Sequence, residues 1–157
     1  MLGISRQCLW AGTERSLLAL WVGGLWVAGY VVAPILFATL DDRQLAGQLA
    51  GQVFRIMSYV GLAVGSVLLL SVVARVLRAA GGWAREWRIW ALTAMLVLVI
   101  IGAFVIQPMM VELKAGGIVA DSEQAKAFGR LHGVSSILFM LTSLLGLSLV
   151  AVGLRGR

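Results

Sequence analysis

The chain has 157 residues, is 61% hydrophobic and carries a formal charge of +6, with a mean hydropathy of +0.96. Soluble domains hold their apolar content near one half, so this composition excludes an ordinary soluble protein and leaves a single membrane-embedded domain over residues 1–157. A lone cysteine, Cys8, excludes an internal disulfide and a cysteine metal cage.

Residues 1–15 mix Leu2, Ile4, Leu9 and Trp10 with polar groups and read as a loose or interfacial lead-in. Four stretches follow, at about residues 16–40, 53–77, 90–111 and 133–154. Each meets the roughly 20 apolar residues that a helix needs to cross about 30 Å of hydrocarbon. The predicted fold class is therefore all-α, an integral membrane bundle of four transmembrane helices. Arg6 and Arg15 precede the first span as they would a signal peptide. Its apolar run is far longer than the roughly 7–15 residues of a signal core, so it is expected to be retained.

Between spans one and two, Asp41 stands three residues before Gln44, and before span four Asp121 stands three before Gln124. This capping-box spacing predicts an extra helical turn or two ahead of each span. Leu45-Ala46-Gly47-Gln48 recurs at once as Leu49-Ala50-Gly51-Gln52, a small-residue run suited to the interface or to close packing.

Arg6, Arg15, Arg75, Arg78, Arg85, Arg88, Arg155 and Arg157 flank the termini and the second loop, opposed only by Glu14 and Glu86. The first and third loops with their helix ends balance five cations against five acids. By the positive-inside rule this predicts an N-in/C-in chain, with Trp83, Trp87 and Trp90 in the cytoplasmic interfacial belt. The expected setting is a bacterial inner (cytoplasmic) membrane, crossed several times. Its lipid bilayer is the expected partner, with a membrane-protein partner or a homo-oligomer left open. The positive charge reads as a topology signal with scope for anionic lipid contact, not as a nucleic-acid footprint.

A shift of 74 residues brings Tyr30 onto Phe104, Val31 onto Val105, Pro34 onto Pro108 and Phe54 onto Phe128, while Arg55 misses Arg130 by one. Helices one and three are thus expected to be equivalent, each ending in a proline-disrupted turn. Pro34 and Pro108 leave the carbonyls of Tyr30 and Phe104 without their usual donors, which Arg55, Arg130 or His132 would supply.

Pro34, Arg55, Gln107, Pro108, Glu112, Arg130 and His132, the sole histidine, all fall at the end opposite the termini. Ionisable groups at membrane depth are functional-site candidates. On helix four, His132, Ser135, Ser136, Phe139, Ser143 and Gly146 share one face. On helix two, Arg55, Ser58, Tyr59, Leu62 and Ser66 form a second seam, with Gly61 and Gly65 on an adjoining face. Arg55, Glu112, Arg130 and His132 are expected to approach one another beneath the two prolines.

Two readings of this cluster stand side by side. In one, Arg55, Gln107, Glu112, Arg130, His132, Ser135 and Ser136 form a non-catalytic pocket for a small ligand, lipid or protein partner. In the other, Arg55 and Arg130 snorkel to headgroups, Glu112 pairs with one of them, and His132 satisfies a carbonyl at a helix start. An alternative chemistry uses Met57, Met109 and Met110 with His132 as a soft donor set for copper(I), although methionine is also an ordinary apolar filler. One histidine cannot give bis-histidine haem ligation within one chain, so haem would need a methionine or a second subunit. No Gly-rich phosphate loop or nucleophile–base pair points to hydrolysis or phosphoryl transfer, and no cofactor is expected outside those alternatives.

Phe128-Gly129-Arg130-Leu131-His132-Gly133-Val134-Ser135-Ser136 resembles the aromatic-Arg-x-His-Gly-x-Ser-Ser segment of the transmembrane protein 205-like family, with Gly129 inserted after the aromatic residue. Pro34 with Phe37, and Gln107-Pro108, are similar to that family's other marks, where Glu-Pro is expected in place of Gln-Pro. The resemblance, over roughly residues 15–154, implies a small four-span protein from a set that includes a bacterial domain of unknown function. It further implies kinship with copper-resistance D-like membrane proteins and, through vertebrate members, a link with platinum-drug resistance.

Overall fold

Among the described residues, four helices are long and apolar enough to cross a membrane. The computed structural model describes residues 6–79, 86–115 and 122–154, and every regular element among them is helical. Helix α1 runs as Arg6–Trp26, a π-helical segment Val27–Val32, and Ala33–Thr39. Helix α2 is Arg43–Arg78. Helix α3 runs as Trp87–Ile101, a π-helical segment Gly102–Ile106, and Gln107–Ala115, and α4 is Glu123–Val152. The hydropathy-defined spans fall largely within these longer helices, the first and last running one and two residues past the helix ends. Residues 6–15 are already helical, so the looser of the two lead-ins expected there does not form.

The caps sit one residue later than the Asp-to-Gln spacing suggests. Asp42 caps α2, its Oδ1 accepting from the backbone N–H of Gln44 (2.7 Å) and of Leu45 (3.1 Å). Ser122 caps α4, its Oγ accepting from Ala125 N–H at 3.1 Å. Leu45 and Ala125 therefore occupy the third helical position, and neither end is a capping box. Adjacent Asp and Ser residues are all competent caps, and the one whose oxygen reaches the free N–H groups fixes the start. Asp121, Trp83, Arg85, Arg155 and Arg157 lie outside the described residues.

Each helix packs on its chain neighbour and α4 closes the ring onto α1, so the bundle runs up-down-up-down. One end therefore gathers the start of α1, the end of α2, the start of α3 and the end of α4. We call this the terminal end and its opposite the loop end. The core sits toward the terminal end: Leu18, Trp21 and Val22 of α1 meet Leu68 of α2, Leu92 and Met95 of α3 and Leu149 of α4. Trp21, 1% exposed, lies across the Gly61–Gly65 step. A Cβ on Gly61 would come within 2.6 Å of its Nε1, and one on Gly65 within 2.9 Å of its Cη2. Gly146 admits Val22 in the same way, with Cγ2 at 2.6 Å from an added Cβ. The small residues thus bring the helices close.

That contact sets the phase of α2. With Gly61, Gly65, Leu68 and Val72 buried, Phe54 and Ser58 continue the inward row, while Arg55, Tyr59 and Ser66 are exposed. The seam predicted through Arg55 is therefore rotated by one residue, about 100° of helix. Large side chains such as Leu20 (72% exposed) and Leu70 (67%) cover the outside, as expected of a lipid-facing surface.

The buried charges sit at the terminal end. Glu14 is 3% exposed and accepts from Arg75 Nη2 at 3.0 and 3.2 Å, while Arg75 Nη1 donates to Leu154 O at 2.9 Å. Arg88 donates from Nε to Gly153 O (2.8 Å) and from Nη1 to Glu86 (2.7 Å), and lies 5.3 Å from the Trp87 ring centroid. Gly153 adopts φ +81°, which suits glycine, as α4 ends. Arginines read from sequence as topology signals thus also fasten the end of α4 to α2 and α3.

Candidate functional site

The two prolines shape the loop-end half. Each is the second residue of its final helical segment, and each follows a widened π turn. Ala33 N–H donates to Ala28 O and Gln107 N–H to Gly102 O, both five residues back. Proline offers no N–H, and its ring crowds the preceding turn. A π turn absorbs that mismatch without ending the helix. The two π segments end at Val32 and Ile106, which are 74 residues apart, the register of the internal repeat. Helices α1 and α3 are equivalent in this respect. Among the described residues, no side chain of Arg55, Arg130 or His132 donates to a backbone carbonyl, so none relieves the proline breaks.

Around these breaks the helices border a half-open cavity of about 770 Å³. That lies within the roughly 300–1,000 Å³ of small-molecule sites. Its α4 wall extends from Phe128 to Thr142, about 21 Å along the helix at about 1.5 Å per residue. Deep in the cavity, Phe139 meets Tyr30 edge-on at 5.6 Å and Phe54 at 5.7 Å. The ring also covers Gly29 so closely that a Cβ there would overlap it.

Of the candidate residues, Pro34, Gln107, His132, Ser135 and Ser136 line the cavity, and Met110 joins them. Arg55, Glu112, Arg130 and Pro108 do not, and all four are exposed. Neither arginine nor Glu112 forms an ion pair among the described residues, so the expected Arg55–Glu112–Arg130–His132 cluster does not assemble. The reason is helical phase. Gln107, Met110 and Lys114 share the inward face of α3, which turns Glu112 away. Phe128, His132 and Ser135 do the same on α4 and turn Arg130 away.

The sequence reading missed Lys114. Its Nζ donates to Gly47 O at 3.2 Å and stands 5.3 Å from the centroid of the Phe128 ring. Phe128 in turn stacks on His132 at 6.3 Å with 12° between the rings. Two signals were available: Lys114 lies seven residues after Gln107 and four after Met110, and Gly47 in the Leu-Ala-Gly-Gln repeat leaves room for its ammonium. His132 lies nine residues into α4, so it cannot serve a carbonyl at a helix start. Its own carbonyl accepts from Ser136 Oγ at 2.9 Å.

The methionine–histidine set is dispersed. Met110 shares the cavity wall with His132, but Met57 Sδ packs against Gly24 between α1 and α2, 3.2 Å from an added Cβ. Met109 is 46% exposed and off the wall. Among the described residues no three His, Cys, Asp or Glu side chains group as a metal cluster.

A family profile matches residues 16–118, which is 103 of the 157 residues. The chain belongs to the family described as Domain of unknown function (DUF4149). The DUF4149 match takes in both proline breaks, the Gly61–Gly65 step and Lys114, and it ends before α4 with His132. No curated protein and no solved structure matches the chain.

Proposed function

We propose that this DUF4149 protein is a non-enzymatic membrane protein that holds a small, elongated, lipid-like molecule in its loop-end cavity. The observation that carries this reading is the long, mostly apolar cleft of about 770 Å³ between the helices, with Lys114 and His132 toward its loop end. The hydroxyl contacts along the cavity support a binding role over a catalytic one. Ser58, Ser136 and Thr142 each donate to a backbone carbonyl four residues back and activate nothing. The likeness of the Arg130-Leu-His132-Gly133 stretch to the transmembrane protein 205-like proteins fits a small four-span protein of this kind.

The test is an organic extract of the detergent-purified protein, analysed by mass spectrometry. A lipid-like compound retained in near one-to-one proportion is expected, and an extract holding only bulk membrane lipid would refute the reading. A copper or haem role retains only His132 and Met110 of its proposed donors on the shared wall. Visible absorbance and elemental analysis of the same sample would expose it.

The charge asymmetry supports cytoplasmic termini, and in a bacterial inner membrane the cavity would then lie in the periplasmic half. Reporter fusions at both termini should score cytoplasmic and one after residue 116 periplasmic. A periplasmic C-terminus would overturn that orientation.

A further inference from the structure

We propose that the loop end of the cavity is an anion site, and that its occupant is a single-chain amphiphile whose carboxylate or phosphate head sits on Lys114 while its chain runs down toward Phe139. This rests on the binding role proposed above and adds the chemical class of the ligand.

The argument starts from an unbalanced charge. An ammonium has three donors, and Lys114 Nζ makes one hydrogen bond, to Gly47 O. Its other neighbour is the face of Phe128, which favours a cation but does not neutralise it. Among the described residues no carboxylate pairs with it. Glu123 is engaged by Lys126 at 2.8 Å, and Glu112 is exposed on another face of α3. Among the described residues no Asp or Glu lines the cavity. A cation in a partly dry, low-dielectric wall attracts an anion more strongly than it would in water. A zwitterionic head would bring a second cation with no acid to receive it.

Polar groups also line the cavity below the head. Gln107 and Ser135 lie about two helical turns, roughly 10 Å, deeper than Lys114 and Phe128, and neither side chain has a hydrogen-bond partner among the described residues. Deeper down, Phe54, Phe139 and Val99 offer apolar surface for an alkyl chain, while the hydroxyls of Ser58 and Thr142 are tied to carbonyls of their own helices. The wall of about 21 Å on α4 leaves length for head and chain together.

The experiment is native mass spectrometry of the full chain in neutral detergent, titrated separately with hexadecanoate, hexadecyl phosphate, hexadecanol and inorganic phosphate. Both anionic amphiphiles are expected to bind about tenfold or more tightly than hexadecanol. Lys114→Met should reduce them to the level of hexadecanol and leave hexadecanol unchanged, whereas Lys114→Arg should keep the preference. Equal binding of acid and alcohol by the parent would overturn the anion site and leave the cavity reading intact. Binding of no chain compound would overturn both. Inorganic phosphate bound as tightly as hexadecyl phosphate would overturn the amphiphile. Should Lys114→Met fail to fold, the comparison of acid with alcohol on the parent decides alone.

Discussion

Gly51→Leu is expected to weaken ligand retention roughly 5- to 150-fold while leaving the bundle as stable as the parent or more so. Gly51 lines the cavity, and a Cβ built on it meets nothing within 4 Å. One turn earlier, the missing Cβ of Gly47 faces Lys114 Nζ at 3.4 Å and Phe37 at 3.8 Å, both on the cavity wall. A leucine at 51 therefore grows into open space beneath the proposed head site. Replacing glycine within a helix removes a penalty of about 0.5–1 kcal/mol, which works in favour of the variant. An occupant would now have to compete with four extra carbon atoms. Overpacking of that kind costs about 1–3 kcal/mol, or roughly 5- to 150-fold in affinity. Thermal melts and mass spectrometry on the same preparation separate the two effects. Parent-like retention of a lipid by Gly51→Leu would show that the cavity is not where the ligand lies.

The four helices, their proline breaks and the inward face of α4 were legible in the sequence because each rests on a local rule. Apolar length gives the helices, proline chemistry gives the breaks, and spacing gives the face of His132, Ser135 and Phe139. The phase of α2 was not legible. Polarity placed Arg55 inward, but the phase is decided by the Trp21 indole seeking Gly61 and Gly65, a contact between residues 40 or more apart in sequence. Once those glycines face the core, Arg55 turns outward and the predicted cluster dissolves. Lys114 was hidden for a related reason: it was counted among balanced loop charges, whereas Gly47 on another helix gives its ammonium a place inside. Arg75 and Arg88 were likewise absorbed into a topology signal, which reads charge by loop and is blind to partners.

That last point predicts which arginine matters for stability. Arg75→Ala is expected to lower stability by roughly 2–4 kcal/mol, somewhat below the cost of about 3–5 kcal/mol for breaking a fully dry pair. The discount reflects the 32% exposure of the Arg75 side chain, against 4% for that of Glu14. One guanidinium ties three helices: Nη2 binds the Glu14 carboxylate of α1 while Nη1 binds Leu154 O just beyond α4. Truncation removes charge-assisted hydrogen bonds from a carboxylate that stays buried, which is the costly way to break such a contact. Arg55→Ala is the matched control. Arg55 is exposed and has no ion pair among the described residues, so its loss should fall within about 0.5 kcal/mol of the parent, as surface changes usually do. Melts of the two variants in neutral detergent make the comparison directly. Equal melting temperatures would mean that the terminal-end ion pair contributes no more than a surface charge. A lower melting temperature for Arg55→Ala than for Arg75→Ala would return the weight of the ionisable groups to the loop end, against the phase that Trp21 imposes on α2.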